Sequence, residues 1–283
     1  MMSGNLLAYF DDQFEKMGRN FRLAADSHNP DGVHDYRVCI KRLKALFSLA
    51  QSINPDFRAK KRFRRFRKLF KTSAALRDIH IQMEIAEDPG NMPGVPHEEY
   101  AAFLRAEEQA AGERFDRLAG DFDVERLRKR RKALDAALED SDAAAAEERA
   151  RSHFRALLDD LIARVENPQR GEKEMHGIRM LAKEVHYVNE MLGGRLSAPY
   201  GTAEFIGGIK QVHQALGKWH DYEVAGAFLE RFAESSGVIS DGKRDTVREW
   251  IAEEKRKLMG AFETAWSGFR VLIRSAPAKP FSL

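Results

Sequence analysis

The feature that most constrains the fold is a helical spacing of apolar residues that continues through nearly the whole chain. Apolar side chains recur every three or four positions between short breaks rich in Gly, Pro, Asn and Ser, and no segment shows the strict alternation of a half-buried strand. We therefore expect an all-α protein with a loose tail at residues 275–283. The spacing predicts helices over 3–26, 31–53, 56–86, 97–119, 122–140, 144–167, 173–193, 202–234 and 243–270.

Composition narrows the class of protein. Of the 283 residues, 43% are hydrophobic and 32% are charged, which suits a packed core with solvated helix faces. No apolar stretch approaches the roughly 18 residues that cross a bilayer, and the N-terminus has no basic leader. The single cysteine, Cys39, has no partner for an internal disulfide, as is usual in a reducing compartment. We expect a cytoplasmic protein with no membrane partner and no cofactor.

Two short segments share one spacing of basic side chains. Residues 34–44 and 176–186 each contain His-x-x-Arg-x-x-x-Lys, and the two copies start 142 positions apart. In an α-helix, these side chains and a further basic-capable one three positions later lie within an arc of about 80°. The sequence therefore predicts two basic stripes, the first made of His34, Arg37, Lys41 and Lys44, and the second of His176, Arg179, Lys183 and His186.

Matching features beyond these motifs indicate an internal duplication. The first predicted helix, moved by 142 positions, falls on another predicted helix, and Asp78 in LRDIHI matches Asp221 in WHDYEV at a shift of 143. Two copies are a duplication rather than a solenoid, which usually needs three or more repeats. We expect one domain over residues 1–283 built from two pseudo-symmetric antiparallel helical bundles, with repeat 1 at about 1–140 and repeat 2 at about 143–283.

Positive charge is concentrated in the first copy. Between Arg37 and Lys71 there are thirteen Lys and Arg and one acid, whereas the rest of the chain has 34 basic and 43 acidic residues. Packing the predicted helix 56–86 beside the first stripe would place two basic faces along one groove, to which the second half adds its own stripe and Lys210. Five cations of that helix share a phase opposite its phenylalanines, namely Lys61, Arg64, Arg65, Lys68 and Lys71.

Basic stripes on helices suit phosphate ligands. Arg offers a planar fork that donates two hydrogen bonds to phosphate oxygens, and Lys offers a mobile point charge. Two matching stripes favour an elongated anion lying in a basic cleft or pore between the halves, because a small anion would need only a few of these side chains. Asp78 and Asp221, which occupy matching positions, are expected to support the stripes by orienting basic side chains.

A metal-dependent phosphohydrolase is the first alternative. His220 and Asp221 form the His-Asp dipeptide that such enzymes use to hold a metal. The corresponding residues of the first copy are Arg77 and Asp78, and arginine is not a metal ligand, which counts against a role shared by both copies. Further ligands would have to come from His186, His213, Asp241 or Asp245.

Nonspecific nucleic-acid binding is the second alternative. A basic helix face binds phosphates regardless of base sequence. The aromatic residues, however, fall in phase with the predicted core and leave few platforms on which bases could stack. We therefore expect nucleic acid only as a weak, nonspecific competitor.

Four motifs in this order resemble the CHAD family, the conserved histidine α-helical domain. They read VHDYRVCIKRLKALFSL, LRDIHI, MHGIRMLAKEVHYVNEML and LGKWHDYEV, and the resemblance extends over nearly the whole chain. The resemblance implies two helical bundles around a basic cleft or pore that binds inorganic polyphosphate without catalysis, and association with polyphosphate granules. By position it assigns ligand contacts to His34, Arg37, Lys41, Lys44, His176, Arg179 and Lys183.

Overall fold

The computed structural model describes residues 2–87, 92–120, 122–139 and 142–274, and for Asp241 only the backbone. The predicted all-α fold is confirmed, and no strand occurs in the described part of the chain. The predicted tail lies outside the described residues. The α-helices are α1 (Met2–Ser27), α2 (Pro30–Ile53), α3 (Ala59–Thr72), α4 (Ala74–Ala86), α5 (His97–Ala119), α6 (Glu125–Arg128), α7 (Arg130–Glu139), α8 (Ala143–Glu166), α9 (Glu172–Leu192), α10 (Ala203–Ser236) and α11 (Asp241–Arg274).

Several helices begin where a polar side chain caps them. The side chain of Asn29 accepts a hydrogen bond from the backbone N–H of Gly32 at the start of α2, where Pro30 occupies the first turn. Asp142 caps α8 and Thr202 caps α10 in the same way. Each cap satisfies an N–H group that the helix itself leaves without a partner. These capping residues explain why the helix starts could be predicted closely from the sequence.

Two predicted helices are each interrupted. The segment 122–140 forms α6 and α7, and the segment 56–86 forms α3 and α4 with a break at the buried residue Ser73. At this break the Arg37 guanidinium donates hydrogen bonds to the carbonyl of Phe70 (2.7 Å) and to the hydroxyl of Ser73 (3.1 Å). A side chain of α2 therefore satisfies a backbone carbonyl at the end of α3, and the two segments diverge there.

The helices pack as antiparallel neighbours around one continuous core. Helix α1 lies along α2, α8 along α9, and α10 along α11, while α2 also contacts α8 and α9. Stacked and edge-on aromatic rings fill the core in both halves, as between Phe10 and Phe47 and between Phe205 and Phe269. The halves are therefore joined by packing, although their origin by duplication stays a prediction. Within the described ranges, every helix is too short or too polar to cross a lipid bilayer.

Candidate anion-binding site

A cavity of about 1850 Å³ lies between helices of the two halves. Helices α2 and α4 line one side of it, and α9, α10 and α11 line the other. Eight Lys and Arg residues lie on its wall against four acids, so the wall is net positive even when its histidines are neutral. The cations are Arg37, Lys41, Arg42, Arg77, Arg179, Lys183, Lys210 and Lys218, and the acids are Asp78, Glu84, Glu204 and Asp221.

The first stripe faces this cavity through three of its four residues. His34, Arg37 and Lys41 lie on the wall. Arg37 is held in place at the Ser73 break, and its guanidinium carbon lies 3.9 Å from the centre of the Phe70 ring. The Lys41 ammonium lies 5.6 Å from the same ring centre. Phe70 thus serves as a shared apolar support for two cations of α2.

The second stripe faces the same cavity through all four of its residues, His176, Arg179, Lys183 and His186. Arg179 differs from Arg37 in its hydrogen bonding, because its buried Nε has no hydrogen-bond partner among the described residues. The structure therefore brings the two predicted stripes to one site from opposite halves. Lys210 of α10 also lies on this wall, as the sequence predicted.

The lysines of the two stripes are electrostatically coupled across the cavity. Burial lowers the pKa of Lys41 well below its ordinary value, and the next cause is repulsion from Lys183. Burial and the charge of Arg179 likewise lower the pKa of Lys183, to about 8. Like charges that are crowded in a poorly solvated space favour the neutral form. An anion in the cavity would relieve this repulsion, so the wall is predisposed to bind negative charge.

The two predicted supporting acids also lie on the wall but make no direct ion pair with the stripes. Burial raises the pKa of Asp78, although the charge of Arg37 opposes the shift. Burial also raises the pKa of Asp221, with Arg179 as the main opposing charge. Neither carboxylate accepts a side-chain hydrogen bond from another described residue. Any influence of these acids on the stripes therefore acts through space rather than by direct contact.

Four of the five histidines of the wall form two close pairs. The rings of His176 and His220 are 5.3 Å apart, and a ring nitrogen of His186 lies 3.0 Å from one of His213. Burial lowers the pKa of His186 to about 4 and that of His213 to about 3. At neutral pH the second pair is uncharged, so one ring donates its N–H to the other and the positive potential comes from Lys and Arg.

Six predicted binding residues lie away from the cavity wall: Lys44, Lys61, Arg64, Arg65, Lys68 and Lys71. All six are exposed on the outer surface. Helical phase correctly put five of them on one face of α3, but it gave no information on how that face turns relative to α2. Because the chain breaks at Ser73, only Phe70 of α3 reaches the wall. The structure thus separates the predicted groove into an inner cavity and an outer basic face.

The cavity also contains cations that the sequence did not assign to the site. Arg77 and Lys218 lie on the wall, and Arg42 lies there while it pairs with Glu190 at 3.0 Å. The sequence could have identified Arg77 as a site residue, because it precedes Asp78 in one of the four motifs and corresponds to His220 in the other half. Lys218 had no such signal, since its position depends on how α10 crosses the cavity.

The residues proposed for a metal site do not converge. Among the described residues, no three His, Cys, Asp or Glu side chains are placed to hold a metal ion. His220 contacts Glu223 at 3.2 Å, and Asp245 is engaged by Arg248 at 3.2 Å. The side chain of Asp241 lies outside the described residues. His220 instead lies on the cavity wall beside His176.

Comparisons with known proteins agree with this architecture. Solved structures similar to the chain include the CHAD domain from the plant Ricinus communis, with a TM-score of 0.73 and 18% identity over 96% of this chain and 92% of that one. PptA from Streptomyces chartreusis is also similar, with a TM-score of 0.67 and 17% identity over 94% of this chain and 99% of that one. Comparison with curated proteins gives no match. Residues 8–230 match the family model of the CHAD domain, and the chain therefore belongs to the CHAD family.

Proposed function

We propose that the protein binds inorganic polyphosphate in the cavity between its halves and does not hydrolyse it. Polyphosphate is an unbranched chain of phosphates that carries negative charge along its whole length. The cavity offers Lys and Arg side chains on opposite walls, so one chain can be contacted from both sides. Arg supplies directed pairs of hydrogen bonds, and Lys supplies point charges that adapt to the position of each phosphate.

The single observation that carries this proposal is that Lys41 and Lys183, from opposite halves, face one cavity without an ion pair to any described residue. After burial, repulsion from Lys183 is the main cause that lowers the pKa of Lys41, and the charge of Arg179 is the main one that lowers the pKa of Lys183, against the opposing charge of Asp221. No acid forms a direct ion pair with either lysine among the described residues. A protein that used these lysines only for stability would pair them with carboxylates. Unpaired cations from two helices that face one cavity instead favour the binding of an anion there.

A nucleic-acid ligand fits this site less well. A cavity between packed helices admits a linear chain of phosphates more readily than a double helix. Single strands are usually gripped by exposed aromatic rings, whereas Phe70 on this wall lies beneath Arg37 and Lys41. Nucleic acid is therefore proposed only as a weak, nonspecific competitor. In a cell, the proposed ligand would direct the protein to cytoplasmic polyphosphate granules.

The decisive experiment compares three ligands at matched salt concentration. Long-chain polyphosphate should bind more tightly than triphosphate or single-stranded DNA, and its affinity should fall steeply as salt rises, because binding releases counterions. Isothermal titration calorimetry measures all three affinities. DNA binding that equals or exceeds polyphosphate binding at physiological salt would reject the proposal in favour of a nucleic-acid function.

The absence of hydrolysis needs its own test. The purified protein should release no phosphate from polyphosphate or nucleotides in the presence of Mg²⁺ or Mn²⁺, and chelation of metals should leave binding intact. If metal-dependent phosphate release is observed and disappears in His220→Ala, the phosphohydrolase alternative is correct.

A further inference from the structure

The outer face of α3 is the densest exposed concentration of positive charge that is separate from the cavity. Seven of its side chains are exposed and basic, and the helix Ala59–Thr72 contains no acid. We call this surface the α3 ridge, and it consists of Lys60, Lys61, Arg64, Arg65, Arg67, Lys68 and Lys71. A helix of 14 residues extends the ridge over about 20 Å.

The cations of the α3 ridge have no ionic partners in the part of the chain that the structure describes. None of them forms a side-chain hydrogen bond or an ion pair with another described residue. The neighbouring helix adds to the positive charge, because Arg130 at the start of α7 lies close enough for Arg62, Arg65 and Arg64 to lower its pKa, after the larger effect of burial. Exposed cations are usually interspersed with acids, which reduces self-repulsion. This surface is instead uniformly positive.

The opposite, apolar face of α3 is not available for insertion into a membrane. Phe66 and Leu69 are fully buried in the core, and Phe63 and Phe70 pack against it. An amphipathic helix that binds a bilayer must insert its apolar face among the lipids. Here that face is already used for folding, so only the charged face is available. The ridge can therefore act only through its charges, and a polyanion is the partner that these charges fit.

The α3 ridge leads directly to the cavity. Phe70, in the last turn of α3, is on the cavity wall, and its carbonyl accepts a hydrogen bond from Arg37 of the first stripe. Lys71, the last cation of the ridge, follows it in sequence. A chain of phosphates that leaves the cavity at this end meets Lys71 and then the rest of α3.

We propose that the α3 ridge is a second, external binding site for the same polyphosphate chain, which only ligands longer than the cavity can reach. This inference rests on the proposed function, since the cavity supplies the first contact. The ridge would then select for chain length: a short oligophosphate fills the cavity alone, whereas a long chain gains additional contacts along α3. Attachment of the second segment is intramolecular, so modest ridge contacts give a large gain in affinity.

The test compares a ridge variant with a matched control. The ridge variant is Lys61→Glu, Arg64→Glu and Lys68→Glu, and the control reverses three exposed cations elsewhere, Arg19, Lys173 and Lys243. For long polyphosphate, the ridge variant should lose at least about tenfold in affinity, and its slope of log affinity against log salt should be shallower by about 2. For triphosphate, both variants should remain within about twofold of the wild type.

Other outcomes separate the ridge from the cavity. The inference is wrong if the ridge variant and the control bind long polyphosphate equally. It is also wrong if the ridge variant loses affinity for triphosphate by the same factor as for long polyphosphate, because the ridge would then contribute only to the general positive potential. A cavity variant, Arg179→Glu with Lys183→Glu, should lose both ligands. If that variant binds both normally while the ridge variant loses affinity for long polyphosphate, polyphosphate binds at the ridge and not in the cavity, and both the proposed cavity site and a ridge that only extends it are wrong.

Two further measurements test whether unfolding or nucleic-acid binding explains the effect of the ridge variant. The neutral variant Lys61→Gln, Arg64→Gln and Lys68→Gln should show an intermediate loss, and its melting curve should match that of the wild type because these side chains are exposed. Duplex DNA is the last arm. If DNA binds the wild type as tightly as long polyphosphate does, and the ridge variant abolishes DNA binding, the ridge belongs to nucleic acid and the inference is overturned.

Discussion

Arg37 and Arg179 occupy corresponding positions in the two halves, but they are used differently. The Arg37 guanidinium donates to the Phe70 carbonyl and the Ser73 hydroxyl and stacks on the Phe70 ring. Arg179 forms no hydrogen bond or ion pair with the described residues, and its Nε is buried without a partner. The pKa of each is lowered mainly by burial. The same residue in the same motif thus supports the fold in one half and is free for a ligand in the other.

This difference teaches that a repeated motif need not make equal contributions to binding. The first half has most of the positive charge, yet its α3 cations lie outside the cavity and its Arg37 is partly occupied. The second half is less basic overall, but all four residues of its stripe line the cavity. The less charged half therefore contributes more of the unpaired cations on the cavity wall.

Charge reversal in the two stripes should have the largest effect. Arg179→Glu with Lys183→Glu should weaken polyphosphate binding by about a hundredfold or more, since each charge-assisted contact contributes about 1.5–3 kcal/mol. Arg37→Glu with Lys41→Glu should weaken binding comparably. Affinities from calorimetry give both values.

The control for net charge is Lys132→Glu with Lys243→Glu, two exposed lysines outside the stripes. Their reversal should reduce affinity by only a few-fold, because exposed charges are screened by salt. If the control weakens binding as much as either stripe pair does, the protein acts as a diffuse cation and the shared cavity is not the site.

The stability of the free protein should separate the two arginines. Arg37→Met leaves the Phe70 carbonyl without its donor, and we expect the free energy of unfolding to fall by about 2–3 kcal/mol. Arg179→Met removes a cation that has no hydrogen-bond partner among the described residues, so stability should change by less than about 1 kcal/mol or should rise. Urea unfolding measures both changes. Equal losses in the two variants would show that the arginines have the same structural role.

Most of the helices could be predicted, because their ends depend on local chemistry. Asn29 with Pro30 and Thr202 mark helix starts that the sequence itself encodes. The break at Ser73 could not be predicted in this way, since no Gly or Pro occurs near it. It is stabilised by Arg37, which is 36 positions away in the chain and comes close only in the folded protein.

The candidate site was predicted only in part, because the sequence encodes local helix faces but not how the helices pack together. Periodicity identifies which residues share a face of one helix, and this placed Arg37 and Lys41, or Arg179 and Lys183, together. It does not specify how one helix turns relative to the next. The cations of α3 were therefore assigned to the groove although they lie outside it, and Lys218 was missed although it lines the cavity.

Affinity should also depend on pH through the second stripe. The pKa of Lys183 is about 8, below its ordinary value of 10.5, because of burial and Arg179. A bound polyanion favours the protonated lysine, so binding takes up protons, and affinity should fall by up to about tenfold per unit as pH rises above 8. Calorimetry at pH 8.5 in buffers with different ionisation enthalpies measures the uptake. In Lys183→Gln the uptake should be reduced, and an unchanged uptake would assign it to another group.

The free protein should show the opposite trend in stability. Between about pH 8 and 10.5 the unfolded chain keeps a proton on Lys183 that the folded protein has released. The free energy of unfolding contributed by this group therefore rises with pH across that window and is constant below it. Urea unfolding of the wild type and of Lys183→Gln at pH 7.5 and pH 9.5 isolates the contribution. A loss of stability from this group with rising pH would contradict the lowered pKa.

The smallest effect is expected from the two acids of the cavity wall, and its sign is informative. If Asp78 and Asp221 oriented the stripe cations by contact, Asp78→Asn and Asp221→Asn would weaken polyphosphate binding. They form no direct ion pair with described residues, and their negative charge lies beside the proposed polyanion. Each substitution should therefore increase affinity by about two- to fivefold, since it removes repulsion without removing a contact. Glu234→Gln, at an exposed position away from the cavity, should leave affinity unchanged. A decrease of several-fold in either Asn variant would restore the orienting role that the sequence predicted.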